Sequence, residues 1–201
     1  MFVLNEILVF TPGRGQEGLD RLGWIHGMMA PNPGFQQAIV AKYLGDTSRH
    51  TIMRFWDDEA ALQKFRETPD GNYGRNRPEG IYNNERVVSP WNSFGEVNGD
   101  ASGDFLIKVQ REVPEDAWGK FMEQQKAIRD LAAKMGGLVW ARQLRAKEQS
   151  VALTVARFRS RTDVERIIES PEYGDVMKKL PESVTLVRTE CFEIVSDVVP
   201  K

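Results

Sequence analysis

Met53-Arg-Phe-Trp-Asp-Asp-Glu-Ala-Ala-Leu-Gln-Lys-Phe-Arg-Glu-Thr-Pro69 is answered about 102 residues later by Ala156-Arg-Phe-Arg-Ser-Arg-Thr-Asp-Val-Glu-Arg-Ile-Ile-Glu-Ser-Pro171. In the first passage a strand, Thr51 to Trp56, runs into Asp57-Asp58. Short acidic side chains there accept the free amide hydrogens of a first helical turn and cap a helix through Phe65. In the second, a strand from Ser150 to Phe158 precedes a helix from Thr162 to Glu169. Both end on a hydroxyl residue followed by proline.

Outward from these passages the matches continue in order. Gly34-Phe35 meets Gly137-Leu138, Tyr73-Gly74 meets Tyr173-Gly174, Pro78-Glu79 meets Pro181-Glu182, and Phe94-Gly-Glu-Val97 meets Phe192-Glu-Ile-Val195. The offset drifts only between about 98 and 103, with a two-residue insertion, Gly71-Asn72, in the first half. The chain therefore reads as two tandem copies, residues 1–97 and 105–201. The small polar stretch Asn98-Gly-Asp-Ala-Ser-Gly-Asp104 links them.

Each copy has the same order of elements. In the first, Phe2 to Phe10 is a strand, Gln16 to Met29 a helix, and Phe35 to Leu44 a strand. The strand and helix quoted above follow, and a last strand runs from Arg86 to Val97. The second copy repeats this: strand Phe105 to Arg111, helix Glu115 to Met135, strand Leu138 to Leu144, the quoted strand and helix, and strand Val184 to Val195. The fold class is α+β, two ferredoxin-like βαββαβ domains. A four-stranded sheet with both helices on one face leaves its other face apolar, and two copies can cover each other sheet to sheet.

With 201 residues the chain is long enough for two cores. Its 41% hydrophobic and 28% charged residues fit a folded globular protein. A net charge of −2 gives no general attraction to nucleic acid or an anionic membrane, so a small-molecule partner is expected instead. The one cysteine, Cys191, cannot form an internal disulfide, which suits a reducing, cytoplasmic setting. No uncharged apolar run approaches the length of a membrane span. Two histidines and one cysteine are too few for a His- or Cys-based metal cluster.

Trp56-Asp-Asp-Glu-Ala-Ala-Leu62, with Phe65 and Thr68-Pro69 behind it, resembles the antibiotic biosynthesis monooxygenase superfamily. Pro33-Gly34-Phe35 looks like that family's turn into its second strand, and Asn5 stands where haem-degrading members carry a strand asparagine. The resemblance implies a dimeric α/β barrel, here fused within one chain. It also implies chemistry drawn from cofactor-free oxygenases, haem-degrading enzymes, isomerases or members without activity. The histidine that would ligate haem iron after the Ser/Thr-Pro step is absent from both Asp70-Gly-Asn-Tyr-Gly74 and Glu172-Tyr-Gly-Asp175. Haem through that ligand is disfavoured, and no cofactor is expected.

The candidate catalytic residues are Asn5, His26, Arg54 and Tyr73. Alternation along Val3 to Val9 puts the Asn5 carboxamide on an apolar face, where it needs a hydrogen-bond partner, in substrate or in a neighbouring backbone. Its counterpart is expected near Ile107. His26 can serve as a base near neutral pH or be a plain helix-end histidine. His50 reads as an exposed turn residue. Arg54, matched with Arg157, can hold an anionic or enolate oxygen or form a cross-strand ion pair. Tyr73 belongs to the long turn-rich segment Glu67 to Glu85, which reads as a lid or as a solvated loop. Trp24, Trp56, Phe65 and Tyr82 are candidate walls of a substrate pocket, although Trp56 and Phe65 also suit the core.

The expected function is cofactor-independent oxygenation of a planar aromatic or polyketide-like molecule in an apolar pocket of the first copy. Haem degradation with a non-standard ligand, isomerase or lyase chemistry on a related ring, and non-catalytic binding stay open as alternatives. A homodimer of fused barrels is a further possibility.

Overall fold

A computed structural model describes residues 1–73, 78–147 and 150–200, the Tyr73 side chain excepted. The first half contains β1 (Phe2–Val9), α1 (Gly15–Met29), β2 (Phe35–Tyr43), β3 (Arg49–Trp56), α2 (Glu59–Glu67), α3 (Pro69–Tyr73) and β4 (Val87–Asn98). The second contains β5 (Phe105–Glu112), a 3-10 turn (Glu115–Ala117) leading into α4 (Trp118–Met135), β6 (Leu138–Ala146), β7 (Val151–Phe158), α5 (Arg161–Ile168), α6 (Pro171–Met177) and β8 (Thr185–Val198). The eight strands are hydrogen-bonded in the closed order β1-β3-β2-β8-β5-β7-β6-β4, the barrel that the family resemblance implies. The chain forms two compact units, 1–91 with 194–201, and 92–193, so β4 and β8 each begin in one unit and end in the other.

The paired motifs occupy equivalent places for physical reasons. Gly34 and Gly137 both take a positive φ, 83° and 84°, and a Cβ on either would collide with the next helix, at Ala61 or Asp163. Their carbonyls accept from Asp57 N and Arg159 N, both at 2.8 Å. Asp58 caps α2 by accepting from Ala61 N at 2.8 Å, and Ser160 caps α5 by accepting from Asp163 N. The hydroxyl of Thr68 donates to Phe65 O and accepts from Gly71 N, closing α2 and starting α3. Ser170 does the same between Ile167 O and Tyr173 N. These double-duty hydroxyls explain two short helices, α3 and α6, at the Ser/Thr-Pro steps. Part of the segment read as a loop, Glu67 to Glu85, is thus helical.

In unit 1, β1 and β3 pair antiparallel from Phe2↔Trp56 to Val9↔Arg49, and β3 pairs with β2. The face carrying Phe2, Leu4 and Trp56 packs on Ile25 and Met29 of α1 and on Leu62 and Phe65 of α2. Leu8, Phe10, Ile52 and Val40 continue that face against Leu22. In unit 2, Ile107, Ala156, Phe158 and Leu138 pack likewise on Ala132 of α4 and on Val164 and Ile167 of α5.

Register corrects three expectations. Arg54 lies opposite Leu4, and the equivalent residue in unit 2, opposite Ile107, is Ala156 rather than Arg157. Arg157 points to the other face, where it donates to Gly103 O and Asp104. The counterpart of Asn5 is Lys108, since Phe2↔Trp56 matches Phe105↔Phe158. That side chain is buried over the Phe192 ring. His50 is a strand residue opposite Leu8, not an exposed turn residue. It is 4% exposed and packs edge-on against Phe10.

Candidate functional site

Alternation along β1 sends Leu4, Glu6 and Leu8 to the helix side and Val3, Asn5 and Ile7 to the opposite side. Both sets are almost wholly buried except for Ile7 and Val9, the partly exposed positions near the strand end. A carboxylate on the helix side of such a strand requires a cation. Arg54, its diagonal neighbour on β3, supplies one: Nη1 donates to Glu6 Oε2 at 3.0 Å, with both side chains buried. Arg86, just before β4, donates from Nε to Glu6 Oε1 at 3.2 Å. From α1, the fully buried His26 accepts at Nε2 from Arg54 Nε at 3.2 Å.

That last bond sets the imidazole's state. An arginine Nε–H only donates, so His26 Nε2 carries a lone pair and its proton sits on Nδ1. Burial first, and the Arg54 charge second, hold His26 well below the ordinary histidine pKa, so the ring is neutral at pH 7. Among the described residues His26 Nδ1 has no hydrogen-bond partner. The result is a fixed line, His26–Arg54–Glu6–Arg86, crossing α1, β3, β1 and the start of β4.

Beside it lies a cavity of about 570 Å³ between the helices and the sheet of unit 1. Leu4, Ile25, Met29, Leu62, Phe65 and Val88 give it apolar walls, and Arg54, Arg66 and Arg86 give it charge. The volume is that of an ordinary small-molecule site. Arg54 is buried, whereas the Arg86 side chain is 38% exposed, so the charge runs from the interior to the surface.

Of the residues singled out from sequence, the structure brings His26 and Arg54 into contact and sets Phe65 in the cavity wall beside Arg54. Asn5 is on the opposite face of the sheet, where Oδ1 accepts from the Thr51 hydroxyl at 3.0 Å. Trp56 is fully buried behind the cavity, stacked on Phe65 at 5.5 Å. Trp24 is half exposed on α1, and Tyr82 packs on Phe10 at the far end of β1. Tyr73 lies in α3, but its side chain, like residues 74–77, is outside the described residues. Glu6, Arg66 and Arg86 were missed. Glu6 was findable, because a carboxylate flanked by Leu4 and Leu8 on its own face demands a partner.

The described residues hold no cluster of three or more His, Cys, Asp or Glu able to bind a metal ion. No helix among them is long and apolar enough to cross a membrane. The comparisons bear on this geometry as follows. Residues 1–71, which carry β1 to α2 and most of the cavity wall, match the antibiotic biosynthesis monooxygenase family. No curated protein matches the chain. Among solved structures, a candidate monooxygenase from Fusobacterium nucleatum superposes with a TM-score of 0.81 at 8% identity, over 98% of this chain and 94% of its own. An anthrone oxidase-like protein gives 0.63 at 15% identity, over 98% and 92%. The haem-degrading enzyme LmHde of Listeria monocytogenes gives 0.61 at 7%, over 96% and 99%. At these identities the likeness is one of fold.

Proposed function

We propose, from the match of residues 1–71 to the antibiotic biosynthesis monooxygenase family, that unit 1 oxygenates a planar aromatic or polyketide-like molecule without a resident cofactor. Arg54 carries the reading: a buried guanidinium in a cavity wall shared with Leu4, Ile25, Met29, Leu62, Phe65 and Val88, fixed by Glu6 on one side and His26 on the other. A buried, fixed cation favours the ionised form of a phenol or enol whose oxygen lies against it. The apolar walls take the ring, and the proton leaves to solvent past the partly exposed Arg66 and Arg86.

The ionised ring then has the carbanion character needed to pass one electron to dioxygen. The radical pair collapses to a carbon–oxygen bond, the peroxide anion takes a proton back from solvent, and the hydroperoxide so formed loses water to leave a carbonyl. A ring methylene and O₂ thus become C=O and H₂O, with the substrate supplying both hydrogens. Support for a tricyclic substrate comes from the fold likeness to an anthrone oxidase-like protein, since anthrone has such a methylene. His26 acts here as a positioning residue, because its basic lone pair is already taken by Arg54.

The test is oxygen uptake with anthrone in metal-chelated buffer. The expected result is one O₂ per quinone formed, and a kcat lowered about 100-fold in Arg54→Gln, with unchanged circular dichroism. A requirement for added flavin or haem, or an active Arg54→Gln, would falsify the reading. Turnover without oxygen would indicate an isomerase or lyase, and binding without turnover a carrier. A protein-ligated haem does not fit the described cavity lining, which offers no imidazole, thiolate or phenolate. Neither histidine is among its lining residues. A Soret shift on adding haem would count against this.

A further inference from the structure

Unit 2 buries a guanidinium at a position where unit 1 has hydrocarbon. The register that matches Phe105 with Phe2 places Arg111 at the position of Leu8. Leu8 packs among Phe10, Leu22, Val40 and Ile52 on the helix side of unit 1. Arg111 takes the same face of β5, where it is 8% exposed, opposite Ala152 on β7 and Leu186 on β8. The flanking residues are smaller in unit 2: where Phe10 and His50 adjoin Leu8, Val113 and Ala152 adjoin Arg111.

Among the described residues Arg111 makes no hydrogen bond and no ion pair. Glu112, next along the strand, points to the other face and accepts from the Thr185 hydroxyl, and Glu115 is held by Arg145. Burial pushes the Arg111 pKa down from its ordinary value, and the one group acting against this is the phenol of Tyr173 on α6. Tyr173 packs on the apolar cluster that holds Ile107 and Val109, the strand residues preceding Arg111 on its face. A guanidinium does not shed its proton to escape such a place, and a buried charge without a counterion is costly. A bound anion relieves that cost.

We propose that unit 2 has an anion site of its own, in which Arg111 holds a small monocarboxylate and the Tyr173 hydroxyl donates to the same group. The planar donor pair of a guanidinium matches the two carboxylate oxygens, and the phenol adds a third donor. One guanidinium balances one negative charge, which favours a carboxylate over a phosphate dianion. Val109, Val113 and Leu186, on the same face of the sheet, give the ligand's hydrocarbon part an apolar bed. The site shares no residue with the cavity of unit 1.

Calorimetry and methyl-resolved NMR with benzoate and its neutral isostere benzamide test this. The expected result is that benzoate shifts the Val109 and Val113 methyl signals and binds at least about tenfold more tightly than benzamide, as one charge-assisted hydrogen bond provides. Arg111→Leu, which installs the residue unit 1 uses, abolishes the preference. Tyr173→Phe weakens benzoate about fivefold, the worth of one hydrogen bond, and leaves benzamide unchanged. Benzoate also raises the Tm of the wild type and not that of Arg111→Leu. Equal affinities for the two probes overturn the inference, as does a preference that survives Arg111→Leu. Shifts confined to the Ile25 and Leu62 methyls of unit 1, or Val109 and Val113 signals unmoved at millimolar benzoate, overturn it too. Should Arg111→Leu fail to fold, Arg111→Lys keeps the charge and loses the paired donors, and a benzoate affinity unchanged by it rejects the site.

Discussion

At the scale of single residues, the molecule depends on charges buried away from water. Arg54 holds Glu6 and His26 at once, so Arg54→Met leaves a buried carboxylate with only the partly exposed Arg86. The expected loss is about 3–5 kcal/mol, since breaking a buried pair strands its partner; a denaturant midpoint that barely moves would contradict this network. The histidine makes a second prediction. His26 is kept neutral in the fold but takes up a proton near pH 6.5 once unfolded. The unfolded chain therefore binds more protons below that pH, and the contribution of His26, fully present above it, is lost as pH falls toward its depressed folded value. The slope is about 1.4 kcal/mol per pH unit. His50, also lowered by burial, adds in the same sense. His26→Gln removes the first part of this acid sensitivity, and in the wild type the His26 ring signals hold constant between pH 6 and 8 by NMR. How far the site was legible follows from β1. Alternation correctly separates Asn5 from its neighbours, but both faces of the strand are apolar, so parity cannot say which one meets the helices. Attention to the amide on one face hid the carboxylate on the other.

At the scale of elements, the fold was legible where a punctuation mark has one physical job. Gly34 shows this. Its φ of 83° and the 2.5 Å approach of a built Cβ to Ala61 exclude any side chain, so Gly34→Ala is expected to cost about 1–3 kcal/mol from backbone strain alone, read as a fall in Tm. Asp58→Ala, which leaves Ala61 N uncapped at the start of α2, is expected to cost about 1 kcal/mol. Because α2 contributes Leu62, Phe65 and Arg66 to the cavity, the same change weakens ligand binding more than a surface substitution does. The elements that sequence did not resolve, α3 and α6, are short helices started by Thr68 and Ser170. A hydroxyl before proline reads equally as a stop and as a new cap, and only the backbone beyond it decides. The Arg54–Arg157 match failed for a related reason: a one-residue slip on a strand moves a side chain to the other face.

At the scale of the whole chain, the two halves share a scaffold and differ in what they bury at the same depth. Where unit 1 has Glu6, Ile52 and Val40 in register, unit 2 has Val109, Thr154 and Gln143. The Gln143 amide donates to Gln125 Oε1 at 3.0 Å, and Thr154 donates to the same oxygen at 2.9 Å. Arg54 is replaced by Ala156, which is packed within the apolar cluster of that half. Unit 2 therefore holds an amide network at this depth, in which Gln143 Oε1 lacks a partner among the described residues, where unit 1 holds the Arg54–Glu6 pair beside a cavity. Hydrogen-bonded amides stabilise a particular packing and fill the depth that the cavity occupies in unit 1. One anthrone-like ligand per chain is the consequence, and calorimetry with anthrone under anaerobic conditions is expected to give a stoichiometry of one. Hydrogen exchange should slow in β1, α1 and α2 and stay unchanged in α4 and α5. The magnitude separates the cases: ligand at about 100 times its Kd stabilises a one-site chain by about 2.7 kcal/mol, and a two-site chain by about twice that. A stoichiometry of two, with protection in α4, would show that the amide network of unit 2 opens to admit a ligand, and that the halves are alike in chemistry as well as in fold.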